Sequence, residues 1–338
     1  MSRRLRIGMI STVNLPTPPV GYGGIERVVH AFVEELIRQG HHVTLFGRPG
    51  SHCSGETVEV AGYGQSMAVS GGRHRLDEEL LADAVQAHVA REKLDVLHDW
   101  SLENIFVNRN PDALPFVVST CVPQPPGYAQ RNVIADSAAH AATLKGGTAP
   151  FVHFGIDVAK VPWSPNGGTR LVQLAKISWY KGQHLAMLAA AMALRPLDVV
   201  GNEEGRRYGR YLVRPLAAML PNVRLLGETK DVEGVLMGAR ALVLAPRWFE
   251  TYPLVSMQAL CAGTPVVALD SGGLDEQVRQ GENGFLAKNV LGLARAMRDV
   301  DDISRTRCRE MALEQFDVRH MVRHYLEYYA RVMDGETW

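Results

Sequence analysis

The sequence predicts an α/β protein made of two doubly wound, parallel-sheet domains. Three observations carry that prediction. Short apolar runs alternate with amphipathic helical stretches along the chain. A Pro/Gly-rich segment, GIDVAKVPWSPNGG at 155–168, interrupts the rhythm near the middle. The rhythm then restarts. The length of 338 residues suits two domains.

The first strand is expected at 5–10, followed by a loop rich in Pro and Gly over 11–24. A helix follows, with apolar residues at Ile25, Val28, Val29, Phe32, Val33, Leu36 and Ile37, the stripe of a helix packed on one face. Gly40 ends it, and 42–46 reads as the next strand. A helix at 77–91 leads to strands at 95–98, 116–120 and 133–136. After the interruption, strands are expected at 171–174, 197–200, 223–226, 241–245 and 265–268, with helices between them. Strand–helix–strand order implies parallel pairing through right-handed crossovers. The expected division is 1–158 and 159–317, with the last helix, within 318–338, crossing back onto the first domain. Ligands of such sheets sit at the carboxyl ends of the strands, so two facing domains would form one cleft.

Composition narrows the function classes. Hydrophobic residues at 46% and charged residues at 21% describe a globular chain. Lys+Arg and Asp+Glu balance at 36 each, so no net charge draws the protein to nucleic acid or an anionic membrane. The run at 5–10 is too short for a signal-peptide core or a membrane span. Cys53, Cys121, Cys261 and Cys308 are far apart, which fits a reducing cytoplasm and neither a disulfide framework nor a zinc site. No Asp-x-Asp or His/Asp/Glu cluster with metal-ligand spacing stands at a strand end, so no metal is expected. Nothing in the sequence specifies an oligomeric state.

Four clusters carry candidate chemistry. Gly21-Tyr22-Gly23-Gly24-Ile25-Glu26 opens the first helix, where free N–H groups attract phosphate or carboxylate. Glu26 stands where a dinucleotide fingerprint has its third glycine, so this is either a ligand loop of another kind or a plain turn. Lys176 and Lys181, five apart after a strand, either clamp a diphosphate or are solvated surface lysines. Glu250 follows the strand ALVLA and either binds sugar hydroxyls or complements a helix dipole. Gln258 lies inside the next helix. Ser271-Gly272-Gly273 repeats the Gly-loop-to-helix device, or is an ordinary helix start.

Taken in order, these segments resemble the family 4 retaining glycosyltransferases of GT-B fold, over nearly the whole chain. The resemblance runs from GYGGIERVV, GHHVTLF and VLHDW through VIADSAAHAATL, GID, KISWYKG and VRLLGE to FETYPLVSMQALCAGTPVVA and SGGLDEQV. The spacing of Glu250 to Gln258 matches the family's two-glutamate signature and is the most specific part. The resemblance implies a metal-independent, hexosyltransferase-like enzyme using a nucleotide diphosphate sugar, a UDP-sugar first of all, as co-substrate. It places Gly23 and Gly24 near the diphosphate and the acceptor, and Lys176 and Lys181 on the phosphates. It sets Glu250 on the donor-sugar hydroxyls, with Lys176, Lys181 and Glu250 forming the catalytic group. Thr251, Tyr252, Leu254 and Val255 would surround the sugar and phosphate, Gln258 the ribose, and Gly227 and Glu228 the base. Glu26, His98, Asp99 and Cys121 would lie on the acceptor side. The acceptor would be a small molecule or glycan, with a small soluble molecule favoured because no lipid-facing basic helix is seen.

The chain departs from the family at four places around one site. Cys121 or Val122 stands where the family has a histidine, and Lys176 replaces an arginine and its bidentate fork. Gln258 replaces the second glutamate and carries no charge. Pro253 replaces a glycine and has no N–H to offer. These changes leave two other readings beside an active transferase. One is a degenerate nucleotide-sugar-binding protein or partner subunit; the other is a nucleotide-sugar epimerase or hydrolase on the same fold.

Overall fold

The structure is a computed structural model that describes residues 3–21, 23–64, 72–203 and 206–338. The chain divides into two compact units, residues 1–156 with 317–338, and residues 157–316.

Unit 1 is built on β1 (Arg6–Ile10), β2 (His42–Gly47), β3 (Glu56–Glu59), β4 (Val96–Asp99), β5 (Phe116–Thr120) and β6 (Val133–Ala135). They form one parallel sheet in the order β3-β2-β1-β4-β5-β6. β1 lies inside the sheet and is buried from its second residue onward, which explains its unbroken apolar run. The helix Gly24–Arg38 buries Val28, Val29, Phe32, Val33 and Leu36, the stripe read from the sequence. The last helix, Val318–Met333, is rooted where Val318 N–H donates to Ile156 O at 3.0 Å. Gly155 makes that approach possible, since a Cβ there would lie 2.7 Å from the Val318 Cα. Tyr325 and Tyr329 of this helix are fully buried and bond to residues of β4 and β5, so the helix completes the unit 1 core.

Unit 2 holds β7 (Leu171–Leu174), β8 (Leu197–Val200), β9 (Val223–Gly227), β10 (Leu242–Leu244), β11 (Val266–Leu269) and β12 (Gly284–Ala287). The order is β12-β11-β10-β7-β8-β9, again parallel throughout. Two buried arginines fasten the segment that enters this unit. Arg305 donates to the carbonyls of Ser164 at 2.9 Å, Ala239 at 2.8 Å and Met237 at 2.8 Å. Arg309 donates to Cys261 O at 2.6 Å and Val161 O at 3.2 Å. Three of these carbonyls lie at or just beyond helix ends, where intrahelical partners run out. Burial lowers the Arg305 pKa to about 10, which still leaves the group charged at neutral pH.

The expected helix after Ser271 does not form. One 3₁₀ turn, Gly272–Leu274, is followed by turns up to β12. Gly272 takes φ 57°, which breaks a helical start, and only 14 residues separate Leu269 from Gly284. No helix among the described residues is long and apolar enough to cross a membrane.

Candidate active site

The unit 2 candidates gather where β7 and β10 end. After β7 the chain makes a 3₁₀ turn, Trp179–Lys181, and enters the helix Gln183–Ala193 through Gly182. Gly182 takes φ 62°, and a Cβ there would lie 1.9 Å from Ala245 O. Only glycine lets the loop touch the end of β10. Gln183, fully buried, shapes the same loop: its side chain donates to Lys176 O at 2.8 Å and accepts from Ser178 N–H at 3.3 Å. Gln173 of β7 donates to Lys181 O at 2.9 Å. These two glutamines escape sequence reading. Gln173 lies within β7 and Gln183 begins a helix, and the burial that gives each its role is visible only in the structure.

Lys181 Nζ donates to Glu250 Oε1 at 2.6 Å. The lysine side chain is 24% exposed and the glutamate side chain 9%, so the pair sits at the edge of the solvent rather than in it. The Lys181 ammonium also lies 4.6 Å from the Trp248 ring centroid, a cation–π contact. The buried indole N–H of Trp248 has no hydrogen-bond partner among the described residues.

Glu250 is braced through its backbone. Its carbonyl accepts from Gly273 N–H at 2.8 Å, and a Cβ on Gly272 would lie 1.9 Å from that oxygen. Ser271 Oγ donates to Trp248 O at 2.7 Å and accepts from Glu250 N–H at 3.4 Å. The SGG segment therefore acts as a support for the Glu250 loop. Thr251 and Tyr252 are buried beside it. Pro253 caps the helix Leu254–Cys261, on which Leu254, Val255 and Gln258 are half-buried. Lys176 is half-buried on the same loop as Lys181. Gly227 ends β9, the edge strand two places from β7, and Glu228 beside it is exposed. A Cβ on Gly227 would meet nothing within 4 Å, so this glycine faces open space.

The unit 1 candidates are placed differently. Gly23 precedes the first helix with φ 141°, and a Cβ there would lie 2.7 Å from Pro19, so no other residue fits; Gly24 is the helix's first residue. Tyr22, in the same loop, lies outside the described residues. Glu26 turns inward and accepts a hydrogen bond from Thr12 Oγ1.

His98 is a correction to the sequence reading. It is fully buried, and both ring nitrogens are engaged, Nδ1 with Tyr329 OH at 2.7 Å and Nε2 with Ser119 Oγ at 2.7 Å. Phe32, Trp100 and Tyr325 rings pack against it. Burial holds its pKa well below the ordinary histidine value, so the neutral ring is a core strut that an acceptor does not reach. Asp99 is equally buried. One oxygen accepts from Ser101 N–H at 2.8 Å, the other has no partner among the described residues, and burial pushes its pKa up to about 7. Cys121 is half-buried. Burial, with Asp136 and Glu26 adding to it, pushes its thiol well above the usual range, so it is not a thiolate at neutral pH. His140 is bonded to Asp136 at 2.7 Å. Among the described residues no group of three His, Cys, Asp or Glu is placed to hold a metal ion.

Comparison with known proteins agrees with this architecture. Residues 22–119 match the model described as Glycosyltransferase Family 4, and residues 168–301 match that of Glycosyl transferases group 1. The glycogen synthase of Mycobacterium tuberculosis is 31% identical over 176 residues, which is 48% of this chain and 42% of that enzyme. The chain thus aligns with less than half the length of that relative. Among solved structures, AviGT4, a glycosyltransferase involved in avilamycin A biosynthesis, superposes with a TM-score of 0.80 at 21% identity, covering 99% of each chain. HepE of Anabaena, solved with UDP and glucose, gives 0.71 at 20% identity, covering 97% of this chain and 100% of that one.

Proposed function

We propose that this chain, a family 4-like glycosyltransferase of GT-B fold by both of its domain matches, transfers a sugar from a nucleotide diphosphate donor with retention of configuration. The carrying observation is the 2.6 Å pair between Lys181 and Glu250, one group suited to a phosphate and the other to sugar hydroxyls, at the carboxyl ends of neighbouring strands. Unit 2 is the donor unit in this reading and unit 1 the acceptor unit.

In the free protein the two groups neutralise each other. Donor binding exchanges partners: the diphosphate takes Lys181, and Glu250 turns to the hydroxyls of the sugar. The carboxylate then orients the ring and favours positive charge developing at the anomeric carbon. The acceptor oxygen attacks that carbon from the face the phosphate leaves. The bond from carbon to phosphate oxygen breaks with its electron pair on the phosphate, and the acceptor's hydroxyl proton passes to that oxygen. Lys181 and Lys176 offset the leaving charge, so the reaction runs without a metal. Thr251, Tyr252, Leu254 and Val255 enclose the sugar and phosphate, Gln258 bonds the ribose, and Gly227 and Glu228 lie by the base. UDP is the first nucleotide to test, since HepE, of the same fold, is seen with it. The acceptor is a small hydroxyl-bearing molecule or a glycan.

The test is product analysis with a panel of nucleotide sugars, in chelator, on wild type and Glu250→Gln. Wild type yields a product of retained anomeric configuration. The variant loses about a hundredfold or more in turnover. Its nucleotide affinity holds or rises, because Lys181 loses its competitor. Transfer by Glu250→Gln at the wild-type rate refutes the assignment. Tight binding with no transfer by wild type favours a donor-binding protein, a reading supported by Gln258 and Pro253, which offer neither charge nor N–H where the family has both.

A further inference from the structure

We propose that Arg247, held against the face of Trp179, is a further phosphate contact of the donor diphosphate beside Lys181. The inference rests on unit 2 being the donor unit. Arg247 belongs to the loop after β10, yet it is fastened to the turn that carries Lys181. Its backbone N–H donates to Tyr180 O at 2.8 Å. Its stem passes Gly182, where a Cβ would lie 3.5 Å from Arg247 Cγ. The guanidinium carbon sits 3.8 Å from the Trp179 ring centroid.

Trp179 is 52% exposed, an unusual place for a large ring unless the ring has a task. It is held firmly for so open a residue. The His184 ring stacks on it at 4.9 Å with 8° between planes, and Tyr208 meets it edge-on at 5.7 Å. His184 is itself anchored, with its Nδ1 2.8 Å from Tyr208 OH. The indole is therefore a fixed plate. A guanidinium on such a plate keeps its orientation and spends none of its five N–H donors.

The charge balance points the same way. Glu250 already neutralises Lys181 in the free protein. The Arg247 guanidinium makes no ion pair or side-chain hydrogen bond among the described residues. It is an oriented, uncompensated cation fastened to the turn that carries Lys181, and its flat fork fits two oxygens of one phosphate. Burial and the Arg247 charge together lower the His184 pKa, which leaves the guanidinium as the charge of this group.

Calorimetry with inorganic pyrophosphate, UDP, ADP, GDP, UMP and uridine on wild type, Arg247→Met, Arg247→Lys and Trp179→Leu tests the assignment, with thermal melting to verify folding. Arg247→Met weakens pyrophosphate and nucleoside diphosphate binding about ten- to thirtyfold and leaves uridine unchanged. Arg247→Lys regains only part of the loss, because an ammonium offers no fork. Trp179→Leu, which keeps the charge but frees it, costs about three- to fivefold. Diphosphate affinities within twofold of wild type in Arg247→Met overturn the proposal and leave the donor reading standing. An equal loss for uridine also overturns it, by moving Arg247 to the base. A wild type that binds none of the diphosphates overturns both.

Discussion

The two sheets share a topology, but their strand ends use polar groups in opposite ways. In unit 1 the groups bond to each other and close up: His98 with Tyr329 and Ser119, Glu26 with Thr12, Asp136 with His140. In unit 2 charged groups stay near the surface: Lys181 at the solvent edge, Arg247 without a carboxylate. A parallel sheet end is thus only an opportunity for a ligand. The side chains decide whether the opportunity is filled from within or left for an anion. Under the function proposed above, this contrast supports unit 2 as the unit that takes the anionic donor and unit 1 as the one that takes a hydroxyl-bearing acceptor.

Four measurements bear on that contrast. The largest effect is expected at Arg305, one of the two buried arginines that unit 2 satisfies from within. Arg305→Met leaves several carbonyls without a donor and costs unit 2 about 2–4 kcal/mol, read as an earlier melting step that spares unit 1. Next comes Lys181→Ala, which weakens nucleoside diphosphate binding by about 1.5–3 kcal/mol, roughly ten- to a hundredfold in calorimetry. The lower end is expected, because the free lysine gives up Glu250 on binding. Unchanged affinity would erase the difference drawn between the units.

The third concerns Asp99. An unfolded aspartate titrates near about 3.9, whereas here the carboxyl titrates at about 7. Burial penalises its ionised form, so this group's contribution to stability falls as pH rises between those values and is lowest above the upper one. Asp99→Asn should melt higher than wild type above about pH 7 and lose that advantage toward about pH 4. A pH-independent difference would mean the carboxyl is not held in a closed core. The smallest effect is Tyr329→Phe, which removes one bond to His98 and costs about 1 kcal/mol in chemical denaturation.

Much of the fold was legible because it rests on local pattern. The buried strands are plain apolar runs, and the Gly24–Arg38 helix shows its stripe without help. The two strands that sequence reading passed over, β3 and β12, are edge strands. β3 reads ETVE, half charged, because an edge strand need not be apolar. The site was legible only in part. Loop motifs locate Lys181 and Glu250 at strand ends, but their pairing spans 69 residues and no spacing rule reports it. His98 misled for the same reason. Beside a strand end it looks like a ligand residue, and only Tyr325 and Tyr329, more than 200 residues later, show it to be core. Arg247 carried no signal, since its meaning depends on Trp179 from another loop.

That long-range closure of unit 1 also bears on how the protein is made. A chain emerging from the ribosome presents β1 to β6 first, then all of unit 2, and only afterwards the helix Val318–Met333. Unit 2, encoded without interruption, can fold as soon as it has emerged. Unit 1 must wait, with His98 and Ser119 lacking the tyrosines that cap them. The amino-terminal half is therefore expected to close later than unit 2, and a chain arrested before residue 318 is expected to leave His98 and Ser119 without those tyrosines.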